Sequence, residues 1–280
     1  MTDLSANIRE HLLESGIPLQ IQALSTIRSN GFAATASPYY FDEDEQKGRE
    51  IDVVGYRYRR IQNRASGFHF FVQASLVVQC KKSDKHHWVF IIEPERSKGT
   101  RLRHELCYYS SPDIFVPPKE GFRNLVPFSV LRNVHHYFAQ PVVGIAYSEA
   151  FKQTGKDTIF EALITAVKAC EFDRLRRTQQ GVKQCVYLYY PVVVFDGKLY
   201  IASAEGGFEP RPASHVLFRM AYRSRAYQGL YLVDVVTPDY LAVLCGETLR
   251  EHGVICDTIE TTRKQLAYPN QCADGPSGAD

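Results

Sequence analysis

The sequence predicts a single mixed α/β domain, and three observations carry that prediction. Segments of helical and extended character follow one another as helix, strands, helix, strands, helix. The extended segments are rich in β-branched and aromatic residues with a period of two. The chain has 280 residues and 45% hydrophobic composition, enough for one large core or two modest ones. No internal repeat, low-complexity block or compositional break divides it. Residues 1–262 therefore read as one domain, with an irregular insertion at about 97–155 and a loose tail over 263–280.

Taken in order, residues 5–14 form a short helix that stops at Ser15 and Gly16. Pro18 suits the first turn of a second helix, "PLQIQALSTIRSNGF", which Gly31 closes. "DEDEQKG" is a solvated hairpin turn, and "REIDVVGYRYR" a strand. "FHFFVQASLVVQCKK" and "HHWVFIIEP" are two further strands. "KDTIFEALITAVKACEFDRLRR" has helical periodicity. "QCVYLYYPVVVFDGKLYIAS" reads as a hairpin turning at Asp196 and Gly197. "GLYLVDVVTPDYLAVLCGETLREHG" is a strand and then a helix that ends at Gly253.

Charge and cysteine usage exclude several classes. A net charge of +2 leaves room only for a local anion-binding patch. Seven scattered cysteines without a CxxC pair give no zinc ribbon or redox motif. No apolar run reaches the roughly 18 to 20 residues of a membrane span. The N-terminus is amphipathic and charged rather than a signal peptide, so the expected setting is a reducing cytoplasm. P-loop, GxGxxG, HExxH and GxSxG motifs are absent.

The polar residues that interrupt the strands carry the functional reading. In "LVVQCKK", Val77, Gln79 and Lys81 share one face and Val78 and Cys80 the other. In "REIDVVG", Glu50, Asp52 and Val54 share a face. If the two strands are neighbours, Asp52, Gln79 and Lys81 converge, because strands lie about 5 Å apart. A hard cation such as Mg²⁺ (or Mn²⁺) favours oxygen ligands. Asp52, the Gln79 amide oxygen and the Cys80 backbone carbonyl supply them, and Glu50 is a further candidate. Lys81 can orient a water or neutralise a phosphate oxygen. In the second helix, Gln20 shares a face with Leu24 and Ile27 and points toward the sheet behind this site.

This arrangement resembles the PD-(D/E)XK nucleases, the restriction-endonuclease-like superfamily, over roughly residues 15–93. The residues that carry the resemblance are Asp52 in "REIDVVG" and Gln79 with Lys81 in "VVQCKKS". The family's helix acid falls at Gln20, and the QxK form is that of the Mrr-like branch. The resemblance implies a central mixed sheet flanked by helices and a metal-dependent endonuclease acting on DNA, in restriction, repair or defence. Its catalytic residues would be Asp52, Gln79, Lys81 and Gln20. Dimerisation, or a partner subunit, is the family expectation for double-strand cleavage. Two acids of the pattern are amides here, so a catalytically degenerate protein that binds nucleic acid or serves as a scaffold is the alternative.

Other polar features have plainer readings. "YRYRR" with Arg57, Arg59 and Arg60, "DRLRR" at 173–177, "RMAYRSRAYQ" with Arg223 and Arg225, and Lys82 suit phosphate contacts and base stacking, or equally an ordinary solvated surface. The pairs His86, His87 and His135, His136 lack the spacing of a zinc site. Cys80, of opposite parity to Lys81, reads as a packed thiol.

Overall fold

The computed structural model describes residues 4–63, 68–94, 107–110, 126–140, 142–152, 155–180 and 185–267. Two helices, α1 (Leu4–Glu14) and α2 (Ile17–Ser29), lead into strand β1 (Ala33–Ala36) and a hairpin, β2 (Tyr39–Asp42) and β3 (Lys47–Glu50). Three long strands follow: β4 (Val53–Asn63), β5 (Phe68–Lys82) and β6 (His87–Pro94). After β7 (Cys107–Ser110) come the short helices α3 (Phe128–Val134) and α4 (His136–Ala139), β8 (Val142–Ala150) and α5 (Thr158–Gln179). The chain continues through β9 (Cys185–Asp196), β10 (Leu199–Ala202), β11 (Arg211–Pro212), β12 (His215–Arg223) and β13 (Gln228–Val236) to α6 (Leu241–Ala267).

All strands but β2 and β3 join one mixed sheet in the order β1-β4-β5-β9-β13-β12-β8-β6-β10-β11, with β7 added beside β9. Its centre, β9, runs parallel to β5 and β13. A central strand covered on both faces needs apolar side chains at nearly every position, and "CVYLYYPVVVF" is buried throughout. Pro191 has no N–H to give, and it falls where one flank of β9 passes from β7, paired at 186–189, to β13, paired from Val192.

Helices cover both faces. On one, Leu19, Ala23 and Ile27 of α2 and Leu244, Ile255 and Ile259 of α6 pack on Val53, Leu76, Val78 and Val192. On the other, Ile159, Leu163 and Val167 of α5 pack on Trp88, Val193, Phe195 and Val233, while Ala169 and Cys170 meet Tyr40, Ile51 and Val77. Gly55 lets α2 lie this close, since a Cβ there would sit 2.5 Å from Ile27 Cγ2. No helix among the described residues is long and apolar enough to cross a membrane.

Several elements depart from the sequence reading. The stretch "REIDVV" is not one strand: Glu50 ends β3 in the separate hairpin, and β4 begins at Val53. Asp196 and Gly197 do not turn a hairpin, because β10 leaves β9 to pair with β6 in parallel. A Cβ at Gly197 would meet the Phe195 ring and Ser83 O, so the chain crosses a crowded point there. Helix α6 runs through Gly253, because buried Glu251, His252, Ile255, Cys256 and Ile259 continue one face past it. The region 97–155 is no mere elaboration. Its β8 lies inside the sheet, between β12 and β6. Of the tail, 263–267 belong to α6 and 268–280 lie outside the described residues.

Candidate functional site

Strands β4 and β5 are antiparallel with Val53 opposite Val78, which sets Asp52 level with Gln79. The carboxylate turns toward β5. Its Oδ2 accepts the backbone N–H of Cys80 at 2.6 Å and the Gln79 side-chain amide at 2.5 Å. No hydrogen bond reaches Oδ1 among the described residues. Gln79 is buried, and with its nitrogen committed to Asp52 its Oε1 is left buried without a partner. A buried polar atom without a partner costs on the order of 1–3 kcal/mol. Burial, with Glu50 adding to it, raises the Asp52 carboxyl above its ordinary value, while the Cys80 N–H and Lys81 oppose the rise.

Lys81 lies one step further along the same face, level with Phe195 of β9. Its Nζ is 3.9 Å from Glu161 Oε2 in the first turn of α5. Glu161 also takes Lys156 at 2.5 Å, and that bond chiefly lowers its pKa. Sequence reading missed Glu161, which stands off the apolar stripe of α5. The available signal was an acid four residues after Asp157, the residue whose side chain caps the helix. Beside Lys81, a cleft of about 350 Å³ is lined by Lys82, Lys152, Lys156, Ser83 and His86.

Gln20 reaches this region from behind. Its Nε2 donates to the Asp52 backbone carbonyl at 2.8 Å and to Ser37 Oγ at 2.7 Å. It therefore fixes the backbone that presents Asp52 and does not touch the carboxylate. The core stripe of α2 is Leu19, Ala23 and Ile27, one position from the expected one. Glu50 is exposed on the hairpin and acts on Asp52 only through its charge. Cys80 faces the α2 and α6 core, where burial pushes its thiol pKa far up, in keeping with an inert packed residue.

The structure separates most of the predicted basic residues from this cluster. Arg57 and Arg59 lie on the α6 face of the sheet. Arg57 donates to Gly31 O, and Arg59 is tied to Asp257 at 2.6 Å and Glu260 at 3.3 Å. Arg59 is also seven residues along β4 from Asp52, about 23 Å. Arg60 is exposed, its guanidinium 6.0 Å from the Phe71 ring centroid. Arg223 and Arg225 are exposed at the end of the β12 and β13 hairpin. Lys82 alone adjoins Lys81.

The acidic turn is a hairpin, but it is not simply solvated. Asp42 is 1% exposed and accepts from buried Lys168 at 3.0 Å. Asp44 pairs with the same ammonium at 3.0 Å and accepts from Tyr222 at 2.8 Å. Burial pulls the Lys168 pKa down, and bonds to Asp42 and Asp44 more than offset it. This ion cluster clamps the hairpin onto α5.

A second polar group, also missed from sequence, is buried on the α6 face. His136 presents Nδ1 to Glu251 Oε1 at 2.6 Å and Nε2 to Asp234 Oδ2 at 3.0 Å. His215 Nε2 meets the other Asp234 oxygen at 2.9 Å, and Tyr190 donates to Glu251 at 3.4 Å. Burial would make His136 neutral, but the two carboxylates override it and hold the ring charged. Burial pushes neighbouring His135 down to about 4. Asp234 and Glu251 are held low, against their burial, chiefly by charge attraction to the histidines. Ligand-type atoms of His135, His136 and Glu251 lie within 4.8 Å of one another, a set that can hold a metal. Both His136 nitrogens already face carboxylates, however, and the group is complete as an ionic network.

Comparison with family models, with curated proteins and with solved structures found no match.

Proposed function

We propose that the chain is a metal-dependent nuclease with a restriction-endonuclease-like core, hydrolysing phosphodiester bonds in DNA at Asp52, Gln79 and Lys81. One observation carries this reading: an acid, an amide oxygen without a partner and an ammonium meet at one strand end on one face. The donor set fits a hard divalent cation. Asp52 Oδ1, Gln79 Oε1 and the Cys80 carbonyl are all oxygen, and the Gln79 atom is buried with nothing else to bind it. When bound, Mg²⁺ or Mn²⁺ would supply Lewis-acid stabilisation of charge on the phosphate.

The chain's own groups divide the remaining work. Asp52 and Gln79 would hold the cation, and the Cys80 N–H and Gln20 fix the orientation of Asp52. Lys81 neutralises a non-bridging phosphate oxygen and orients the attacking water, while Glu161 directs its ammonium. Water attacks phosphorus and gives up a proton to solvent, the bond to the leaving deoxyribose oxygen breaks, and that oxygen takes a proton from solvent. The presence of Gln20 and Gln79 where the family pattern has acids favours the second reading, a binding module without catalysis.

The test is cleavage of single- and double-stranded DNA and RNA with Mg²⁺, Mn²⁺ or EDTA, beside folded Asp52→Asn and Lys81→Ala. Metal-dependent cutting lost in both variants supports the nuclease. No cutting by wild type, with nucleic-acid binding unchanged in both, overturns it in favour of the binding module.

A further inference from the structure

A second cleft, of about 300 Å³, opens on the same sheet face as Asp52 and Gln79, between the β2 and β3 hairpin, β4, β5 and α5. We propose that it accepts one unstacked nucleobase of the strand whose phosphate lies at Asp52 and Lys81. The inference rests on the nuclease reading for that phosphate.

Strand β5 joins the two places. Side chains at i and i+2 share a face about 7 Å apart. Gln73, Ser75 and Val77 line the cleft, and Gln79 and Lys81 continue the same row. Ile51, next to Asp52, also lines it. A chain held at Gln79 therefore needs to cover only two residues along β5, about 7 Å, to reach the cleft edge at Val77.

The lining suits a flat heteroaromatic ring with a polar edge. Tyr39, Tyr40, Tyr56 and Phe172 line the cleft, and Tyr39 is 75% exposed at the mouth. Base stacking on such rings tolerates any sequence. At the floor, Gln73 Nε2 donates to Ser75 Oγ at 2.9 Å. The Gln73 oxygen and the Ser75 hydroxyl proton have no further partner among the described residues, so one acceptor and one donor remain for a base edge. The hydroxyl of Tyr40 is buried without a partner as well. The volume stands at the small end of ligand sites, roughly 300–1,000 Å³, which favours a single base over a larger ligand.

The rim suits the backbone of the same strand. Arg176 and Arg177, from the "DRLRR" stretch, line the cleft together with Asp173. Asp173 takes Arg176 at 2.5 Å, Arg177 at 3.4 Å and the Tyr189 hydroxyl at 2.8 Å. Two guanidiniums on one carboxylate leave a net positive rim. Arg177 is further held 4.7 Å from the Tyr187 ring centroid.

The test is fluorescence anisotropy of a single-stranded DNA 12-mer in EDTA, where no metal-dependent cutting competes. A single abasic residue is walked along the strand. Binding by wild type should weaken about 5- to 100-fold at one abasic position. Phe172→Ala should weaken the intact strand similarly and lose the response to that position. Tyr39→Ala removes an exposed ring without disturbing the core and should weaken binding in the same direction. Binding indifferent to every abasic position, or unchanged in both folded variants, overturns the pocket even if the enzyme cuts DNA normally. A position-specific response in a protein that never cuts DNA keeps the pocket and removes the nuclease. No binding of any strand overturns the pocket.

Discussion

On the α6 face of the sheet, His136, Asp234 and Glu251 are closed off from water, half-buried His215 joins them through Asp234, and each His136 ring nitrogen meets a carboxylate oxygen. On the α5 face, Asp52 and Lys81 are partly open, and buried Gln79 keeps an unmatched oxygen. The first group has the balance of a scaffold, with charges paired where water cannot reach them. The second retains an unmet demand at a strand end beside a lysine-lined cleft. Burial and charge are common to both groups, so completeness is what separates them.

The largest expected effect lies in the closed group. Glu251→Ala leaves His136 charged and half-paired in the interior. It should cost about 3–5 kcal/mol of stability, read by chemical denaturation. Lys81→Ala should leave stability within about 1 kcal/mol, since its contact with Glu161 is long and partly solvated. Cleavage should nonetheless fall on the order of 10²–10³-fold, as for loss of one preorganised charge-stabilising group. A Lys81→Ala protein that unfolds easily but cuts normally would reverse the assignment of the two groups. Gln79→Glu sharpens the comparison in the other direction. A second carboxylate beside Asp52 should tighten Mn²⁺ binding on the order of tenfold, measured by calorimetry.

A further effect is in pH dependence. His135 has a folded pKa of about 4, below its ordinary 6.5, so the native state prefers it neutral. That contribution is full above 6.5 and is lost as pH falls toward 4. Buried His252, also lowered, acts in the same sense. His136 has the opposite sign: its raised pKa contributes fully below 6.5 and is lost only as pH climbs through the raised value. Asp234 and Glu251, both lowered, contribute above the ordinary carboxylate range and lose it in strong acid. Melting temperature should therefore decline from pH 6.5 to 4. His135→Asn, which keeps a cap acceptor for α4, should flatten part of that decline.

How legible each group was follows from the distances along the chain. Gln79 and Lys81 follow from the period of two within β5, and Asp52, one residue before β4, from extending that period past the strand's start, because β4 and β5 are consecutive strands. Gln20 was read as pointing at the site, but which atom of Asp52 it would hold depended on the Ser37 turn. His136 and Glu251 are 115 residues apart, and their meeting depends on where α6 crosses the sheet. Asp234 in "LVDVV" and the pair His135, His136 were the local signs of that network. The hairpin acids looked solvated for a similar reason, since their partner Lys168 is 126 residues from Asp42. The strand β8 sat among prolines and short apolar runs, and only its parallel and antiparallel neighbours give it a place in the sheet. Local parity thus revealed the open group, while long-range pairing hid the closed one.

Binding of Mn²⁺, counted by electron paramagnetic resonance, tests the contrast most directly. Wild type and Glu251→Gln should each bind an ion that Asp52→Asn loses. Binding that survives Asp52→Asn and disappears in folded Glu251→Gln would move the metal to the histidine network and contradict the account.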